Sequence, residues 1–383
     1  MNKITDYIYN VGSSSYDVDL FEGQYIVPNG MAYNSYLVLD EKNVLFDGVD
    51  SSLKEEWEKN VETVLSGKSL DYLVISHVEP DHSSSITAIM DKYPNLTIVL
   101  NAKAIALIKQ FYGVDYTNRA IIVKDGDTLT CGSHEFKFVF APMVHWPEVM
   151  MTYELTEKVL FSADAFGKFG AYDYKEDWAC EARRYYFNIV GKYGVQVQAV
   201  LKKLANFKIN IILGLHGPSL TENIEYYLNL YDIWSSYSVE VDGVFIAYAS
   251  IYGNTKKAAY LLKDKLEKLG VRVAISDLAR SDMAENVEDA FKYGKLVLAS
   301  PTTDMDVFPV MKEFISHIVS KNYQNRKVGF IENGSWAAQS GKIMKEMLEK
   351  CKNIDFCTTT VSIKSALSEK NDAELDFLAS ELV

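Results

Sequence analysis

The stretch His77-Val78-Glu79-Pro80-Asp81-His82 places four potential metal ligands within six residues. It follows the apolar run of residues 72–75, which is short, rich in β-strand formers and bounded by polar residues, and therefore predicts a buried strand. A loop at the end of a strand can direct several side chains toward one point. Because the donors are imidazoles and carboxylates with no thiolate, they favour iron, manganese or zinc over a structural cysteine-type zinc site.

Three further donors follow apolar strands in the same half of the chain. His145 and His216 each close a strand and precede a turn marked by Pro or Gly, and Asp164 ends another predicted strand. A set of this size suits two metal ions and a bridging carboxylate. The predicted donor set is His77, Glu79, Asp81, His82, His145, Asp164 and His216.

The remaining two of the six histidines carry no such signal. His134 opens an alternating strand, and His317 lies within a helical pattern, so both are interpreted as structural.

Composition narrows the functional classes. The chain has 383 residues and a net charge of −13, which disfavours nucleic acid and anionic membranes as partners. No apolar segment opens the chain and none approaches the length of a membrane span, so we expect a cytoplasmic protein. The four cysteines are widely spaced and form no Cys-x-x-Cys, which predicts free thiols and no rubredoxin-type iron site.

The pattern of strands and helices changes near residue 240, which predicts domains of residues 1–240 and 241–383. The first part mixes strand pairs with strand–helix units, so its sheets are not purely parallel. Long helices are predicted at 178–204 and 219–236. The second part alternates five strands with helices, and this rhythm predicts a doubly wound parallel sheet.

Three loops follow the strands of this second sheet, at the edge where such sheets bind ligands. They carry hydroxyls, small residues and an aromatic ring, but no Walker-type lysine, which favours a flavin mononucleotide (FMN) over a nucleoside triphosphate. The predicted FMN-binding residues are Ser250, Ile251, Tyr252, Gly253, Asn254 and Thr255 in the first loop, Ser300, Pro301, Thr302, Thr303 and Asp304 in the second, and Asn333, Gly334, Ser335 and Trp336 in the third.

These motifs together resemble a known family. The loop at residues 250–255 and the five-strand rhythm look like flavodoxin, and the His-x-Glu-x-Asp-His motif looks like the metallo-β-lactamase-like domain of flavodiiron proteins (A-type flavoproteins). Hydrolases of that fold typically carry His-x-His-x-Asp-His. Glu79 replaces their second imidazole with a hard anionic donor that favours iron over zinc. The resemblance implies an N-terminal αββα sandwich followed by a flavodoxin-like domain.

The resemblance also implies a ligand set and an activity. One iron would be held by His77, Glu79 and His145 and the other by Asp81, His82 and His216, with Asp164 bridging; family members differ in how His82 binds. The activity would be reduction of dioxygen to water or of nitric oxide to nitrous oxide, with electrons passing through FMN. A dinuclear hydrolase with an accessory flavodoxin domain is the alternative, and a simple electron carrier is a third.

Partners follow from the same resemblance. The family forms a head-to-tail homodimer or a dimer of dimers, with Trp146 and Trp336 as candidates to line the junction between flavin and diiron centre. Rubredoxin, a reduced deazaflavin or an NAD(P)H-linked reductase would supply electrons. The second and third flavin loops depart from the common family pattern. Two carboxylates in the second loop, Asp304 and Asp306, are expected to lower the potential of the flavin if they face its ring.

Overall fold

Strands and helices alternate along the whole chain in the computed structural model, which describes residues 1–383. Two units divide it, Met1–Asp232 and Ile233–Val383. The domain bounds of 1–240 and 241–383 remain a prediction. None of the helices has both the length and the apolar character needed to cross a bilayer.

The first unit is built on two sheets of seven and five strands. The larger sheet has the order β1-β2-β7-β8-β9-β10-β11 and the smaller the order β12-β13-β14-β15-β16, while β3 pairs with β6 and β4 with β5. The sixteen strands are Asn2–Lys3, Ile8–Asn10, Ser13–Ser15, Leu20–Phe21, Tyr25–Ile26, Met31–Tyr33, Tyr36–Val38, Val44–Phe46, Tyr72–Val74, Thr97–Leu100, Ala120–Ile122, Thr128–Thr130, Glu135–Phe140, Met150–Glu154, Val159–Phe161 and Ile211–Leu213.

Helices connect or follow these strands. They are α1 to α7, in the order Lys54–Leu65, Pro80–Ser83, Ile86–Lys92, Ala102–Tyr112, Trp178–Tyr185, Gly194–Leu204 and Ile224–Ser235. The inner faces of the two sheets share one apolar core, in which Phe46 of β8 stacks on Phe161 of β15 with ring centroids 4.0 Å apart. Burial of these apolar side chains stabilises the packing of the two sheets against each other.

The second unit has a five-stranded parallel sheet of order β18-β17-β19-β21-β22, as the five-strand rhythm predicts. The short strand β20 pairs antiparallel with the end of β19. The strands β17 to β22 are Val241–Tyr248, Val273–Asp277, Tyr293–Thr303, Asp306–Val307, Gln324–Asn333 and Lys352–Ile363. The helices α8 to α12 are Asn254–Lys268, Met283–Lys292, Pro309–Ser320, Ser340–Leu348 and Glu369–Glu381.

Arg326 ties the start of the second unit to its sheet. Its guanidinium is 2% exposed and donates hydrogen bonds to six backbone carbonyls. Two of these, those of Tyr237 and Ser238, precede the first strand of the sheet. A buried guanidinium is stable only when its donors are paired, so this segment is an integral part of the unit.

Two predicted helices differ from those observed. The helix predicted at 178–204 is interrupted by a π-helical turn at Tyr186–Val190 and a 3₁₀ turn at Gly191–Tyr193. The helix predicted at 219–236 begins only at Ile224. The interruption includes Gly191 and is followed by Gly194, both poor helix formers, and the ring of Tyr186 at its start is buried. The short strands β1 to β5 have no alternating pattern of their own and escape prediction.

Candidate functional site

The seven predicted donors of the first unit lie together, in two adjoining groups. His77, Glu79, His145 and Asp164 form one, and Asp81, His82 and His216 form the other; within each group the candidate ligand atoms lie within 4.8 Å of one another. The donors follow strands β9, β13, β15 and β16, which come from both sheets. Side chains at strand ends therefore converge here from both sides of the sandwich.

Asp164 faces both groups. Its Oδ2 lies 3.0 Å from Nε2 of His145 and 3.5 Å from Nε2 of His77, while its Oδ1 lies 3.3 Å from Nε2 of His82 and 3.8 Å from Nε2 of His216. One carboxylate oxygen thus points to each group. This is the arrangement expected of a carboxylate that bridges two metal ions.

Backbone and side-chain partners hold the imidazoles in place. Nδ1 of His77 lies 2.7 Å from Oε1 of Glu148, and Nδ1 of His216 lies 2.7 Å from the carbonyl oxygen of Ala32, so each ring turns its Nε2 toward the donor groups. Asp47, which follows β8, accepts the backbone N–H groups of Ser76 and His77 and fixes the loop after β9. Partners of this kind set the tautomer and orientation of metal-binding histidines.

The electrostatics of the cluster suit cations. Burial lowers the pKa of His145, but hydrogen bonds to Asp164 and Glu79 outweigh burial and raise that pKa to about 9. Burial raises the pKa of Asp164, but the charge of His77 and hydrogen bonds with His145 and His82 outweigh it and hold that pKa well below its usual range. Without metal, protons thus hold the imidazoles and carboxylates together, and a metal ion would displace those protons.

Several buried polar atoms in the cluster test whether metal ions fit it. Both carboxylate oxygens of Asp81 are buried without a hydrogen-bond partner. Leaving such atoms unpaired is costly, and metal coordination would satisfy them. Nε2 of His82 and Nε2 of His216 lie only 3.0 Å apart, a spacing at which two imidazoles can share one metal ion. The donor chemistry and these unpaired atoms fit a dinuclear centre of oxygen and nitrogen ligands.

Aromatic rings surround the second group. Phe21, Tyr33 and Tyr185 pack around His216 with ring centroids 5.3, 5.7 and 5.5 Å away. The hydroxyl of Tyr185 is buried and has no hydrogen-bond partner. Neither Tyr185 nor Glu148 is among the residues predicted from sequence. Glu148 lies three positions beyond His145, a proximity that could have suggested it, whereas nothing in the local pattern marks Tyr185.

The three predicted loops of the second unit line one cavity of about 350 Å³. Twelve of its lining residues were predicted, and Met305, Ala337 and Ser365 were not. Gly253, Ser300 and Thr303 were predicted but do not line it. Ser365 follows β22, the fifth strand of the parallel sheet. Only the loops after three of the strands were predicted to bind ligand, and including the loop after the fifth would have identified Ser365.

Local geometry explains the shape of this cavity. Gly253 has a φ of +88° directly before helix α8 and donates its N–H to Oγ of Ser250, 3.1 Å away. The first N–H groups of a helix lack intrahelical partners and favour phosphate. A Cβ at Gly334 would lie 2.4 Å from the carbonyl oxygen of Ala337, so only glycine allows the third loop to fold back on itself. The cavity therefore lies beside a helix start of the kind that favours phosphate, and the tightly folded third loop bounds it.

The chain is similar to known families and proteins in both halves. Residues 31–217 match the family described as ODP family beta lactamase, and residues 246–373 match flavodoxin. A nitric oxide reductase of Moorella thermoacetica is 30% identical over 361 residues, which cover 91% of this chain and 90% of that protein.

Solved structures give the same result. Rubredoxin oxygen:oxidoreductase from Desulfovibrio gigas has a TM-score of 0.93 and 26% identity, with 100% of this chain and 97% of that chain covered. The flavodiiron protein from Giardia intestinalis has a TM-score of 0.93 and 25% identity, with coverages of 100% and 95%.

Proposed function

The chain belongs to the flavodiiron protein family, and from that premise we propose that it reduces dioxygen to water or nitric oxide to nitrous oxide at a diiron centre. FMN and two iron ions are its cofactors. The observation that carries the proposal is the position of Asp164, with one oxygen toward each of two adjoining donor groups. A redox pair of metals on the same chain as a flavin-shaped cavity suits multi-electron reduction of a small gas.

The residues of the first unit take the following roles in this proposal. His77, Glu79 and His145 hold one iron, Asp81, His82 and His216 hold the other, and Asp164 bridges them. When bound, the irons would bind and activate the gas and FMN would supply stored electrons. Glu148 keeps Nε2 of His77 directed at the metal by hydrogen bonding to Nδ1. The rings of Phe21, Tyr33 and Tyr185 keep bulk water from the side of His216.

The predicted residues of the three loops in the second unit would bind FMN. The turn at Gly253 and the first N–H groups of α8 would receive the phosphate. Trp336, at the rim of the cavity, is 91% exposed and offers a face for the ring system.

Electron supply and assembly complete the proposal. A redox protein such as rubredoxin, or a deazaflavin- or NAD(P)H-linked reductase, would reduce the flavin, in keeping with the name of the Desulfovibrio gigas relative. We propose a head-to-tail homodimer, or a pair of such dimers, that brings the flavin of one protomer to the diiron centre of its partner.

Metal analysis and anaerobic turnover test the activity. Protein expressed with ample iron should contain about two irons and one FMN per chain. After chemical reduction it should consume dioxygen or nitric oxide, and comparing the two rates would assign the preferred substrate. Zinc occupancy, hydrolysis of a lactone or thioester, and no gas reduction after iron reconstitution would instead indicate a hydrolase.

Complementation tests the dimer. His145→Ala removes a proposed iron ligand and Gly253→Val removes the turn proposed for phosphate, so each variant alone should be inactive. Mixed dimers hold one intact flavin and one intact diiron centre that face each other, and partial activity should return. Mixed dimers that form, as shown by mass spectrometry, but remain inactive would argue for electron transfer within one chain.

A further inference from the structure

A second cavity, of about 340 Å³, opens beside the donor cluster of the first unit. Two of the donors line it, Glu79 and Asp81, together with two carboxylates outside the donor set, Glu22 and Asp50. All four charged residues of its lining are acidic, and no lysine, arginine or histidine lines it. The approach to the proposed diiron centre is therefore uniformly anionic.

Glu22 is held at this opening by its hairpin. It lies in the turn between β4 and β5 with a φ of +49°, a left-handed conformation that side chains other than glycine adopt at a cost. Phe21 beside it packs against His216, and the Tyr25 hydroxyl donates to the carbonyl oxygen of Asn188 over 3.1 Å. Anchors on both sides therefore fix the turn that carries Glu22.

The environment of Glu22 shows that it is within electrostatic reach of the donors. Partial enclosure and the charges of Glu79, Asp81 and Asp164 raise the pKa of its carboxyl, and the charge of His145 lowers it. Two cations bound by those donors would remove this repulsion and favour the ionised form of Glu22.

Asp50 is fixed by a different device. Its Oδ1 accepts the backbone N–H of Ser52 over 2.9 Å and the Oγ hydroxyl of the same residue over 2.6 Å, which caps the helical turn Ser51–Leu53. Its charge and that of Asp81 both raise the pKa of Tyr33, after the larger effect of burial. The charge of Asp50 therefore acts on the same cavity as the charges of Glu79 and Asp81, although Asp50 is not one of the seven donors.

We propose that Glu22 and Asp50 form an anionic entrance that admits neutral diatomic gases and disfavours small anions, such as azide and nitrite, that bind ferric iron. The inference rests on the proposed function, because it assigns a selectivity to that same centre. Metal ions would offset the charges of Glu79 and Asp81, whereas Glu22 and Asp50 are not ligands and keep theirs. Dioxygen, nitric oxide, water and nitrous oxide are neutral, so the entrance neither attracts nor repels them by charge.

Azide binding to the oxidised, iron-loaded protein tests the entrance, with affinity read from the optical change on titration. Glu22→Gln and Asp50→Asn keep side-chain size and remove one charge each, and Asp50→Asn keeps the capping oxygen. We expect azide to bind about threefold more tightly in each single variant and about tenfold more tightly in the double variant, for charges roughly 8 Å away in a wet entrance. The gain should shrink in about 0.5 M salt.

The control is Glu41→Gln, which removes an exposed charge from the turn between β7 and β8, at the ends of those strands remote from the donors. It should leave azide affinity unchanged, and nitric oxide should bind the reduced double variant within about twofold of the wild-type affinity because it carries no charge. Unchanged azide affinity in the double variant, or an equal increase of azide affinity in Glu41→Gln, would contradict the proposed anionic entrance.

The same azide titration on cobalt(II)-loaded protein separates this inference from the proposed function. Cobalt(II) reports anion binding by its visible spectrum whether or not the native metal is iron. A tighter azide complex in the cobalt-loaded double variant supports the entrance even if the iron-loaded wild-type protein fails to reduce either gas. If the wild-type protein reduces gas but azide affinity is the same in the double variant, the proposed activity is supported and the proposed anionic entrance is contradicted.

Discussion

The donor cluster of the first unit and the flavin cavity of the second are built in opposite ways. His77 and His82 are 0% exposed, whereas Tyr252 and Trp336 at the cavity rim are 92% and 91% exposed. The cluster is made of charged side chains held by a second layer of partners such as Glu148. The cavity is made of loops, and Asp304 is the one charged residue in its lining.

The difference follows from what each site is proposed to bind. Metal ions need donors that are fixed, deprotonated and shielded from water, so their ligands lie at the ends of strands that pack into one core. A flavin is large and flat and must exchange electrons with partners, so loops at a sheet edge can hold it while leaving part of its ring accessible. Side-chain substitutions should therefore have large effects in the cluster and small ones in the loops, except where a change distorts the loop backbone, as Gly253→Val would.

The largest effect is expected at Asp164. Asp164→Ala removes the only donor that faces both groups and leaves four imidazoles without their shared anion. We expect both metal ions to be lost, with affinity reduced more than about 100-fold. Elemental analysis measures this. Asp125→Ala, which removes an exposed carboxylate paired with Lys203, is the matched control and should retain both ions. Full metal content in Asp164→Ala would show that the ion sites lie elsewhere.

The second effect concerns pH in the metal-free protein. The pKa of His145 is raised to about 9 in the folded chain, above its value of about 6.5 when unfolded. Its ion pairs therefore stabilise the metal-free protein fully below pH 6.5, and this contribution is lost as pH rises through about 9. The loss should reach roughly 3 kcal/mol. Urea unfolding from pH 6 to 10 measures it.

Two comparisons isolate the contribution of His145. Metal-free His145→Ala should lose the part of this pH dependence that His145 contributes, while His77 and His82, whose pKa values are also raised in the folded chain, keep their parts. The metal-loaded wild-type protein should lack the whole dependence because metal has already displaced the protons. If metal-free wild type and His145→Ala lose stability in parallel over this pH range, His145 does not hold its proton as described.

A smaller effect is expected one layer outside the ligands. Glu148→Gln keeps the shape of the side chain but weakens the charge-assisted hydrogen bond to Nδ1 of His77. Metal affinity should fall by about 10- to 100-fold, while the free energy of unfolding of the metal-free protein changes far less. Competition with a chelator provides the measurement, and Glu135→Gln in β13 is the matched control. Equal affinities in the two variants would mean that Glu148 does not position His77.

The smallest effect is expected in the flavin loops. Asp304 lines the cavity, but Asp306 lies outside its lining and forms an ion pair of 2.5 Å with Lys312. Asp304→Asn should raise the potential of the one-electron semiquinone–hydroquinone couple of bound FMN, by about 40 mV if the exposed carboxylate contributes about 1 kcal/mol. Asp306→Asn should leave the potential within about 10 mV. Spectroelectrochemical titration measures both potentials. Equal shifts in the two variants would contradict the conclusion that Asp304, and not Asp306, lies near the flavin.

The expectation that Asp306 borders the flavin shows where sequence reasoning falls short. A carboxylate two positions from Asp304 looks equivalent in sequence, yet the pairing with Lys312 depends on the first turns of helix α10. Whether a charge is free is decided by a partner that the motif does not contain.

The donor residues were predictable for a physical reason. Each follows a short apolar run, and strands that pack in one sandwich bring their ends to a common edge, so proximity follows from strand position alone. Tyr185 and Glu22 were not predictable in this way. Tyr185 lies in α5, directly before the π-helical turn, and Glu22 reaches the cluster through a hairpin too short to show an alternating pattern. Contacts that depend on tertiary packing leave no local periodicity.

The six carbonyls gathered by Arg326 bear on how the flavin-binding half can be produced as a separate fragment. A fragment that begins at residue 241, where the strand pattern starts, would lack the carbonyls of Tyr237 and Ser238. The guanidinium of Arg326 would then lose two of its hydrogen-bond acceptors while the rest of the unit still surrounds it. A fragment that begins at residue 233 retains both. The hydrogen bonds of Arg326, some ninety positions downstream, thus decide where this unit can be truncated. Among fragments with successive start points, the yield of folded protein should drop most sharply between a start at residue 233 and a start at residue 241.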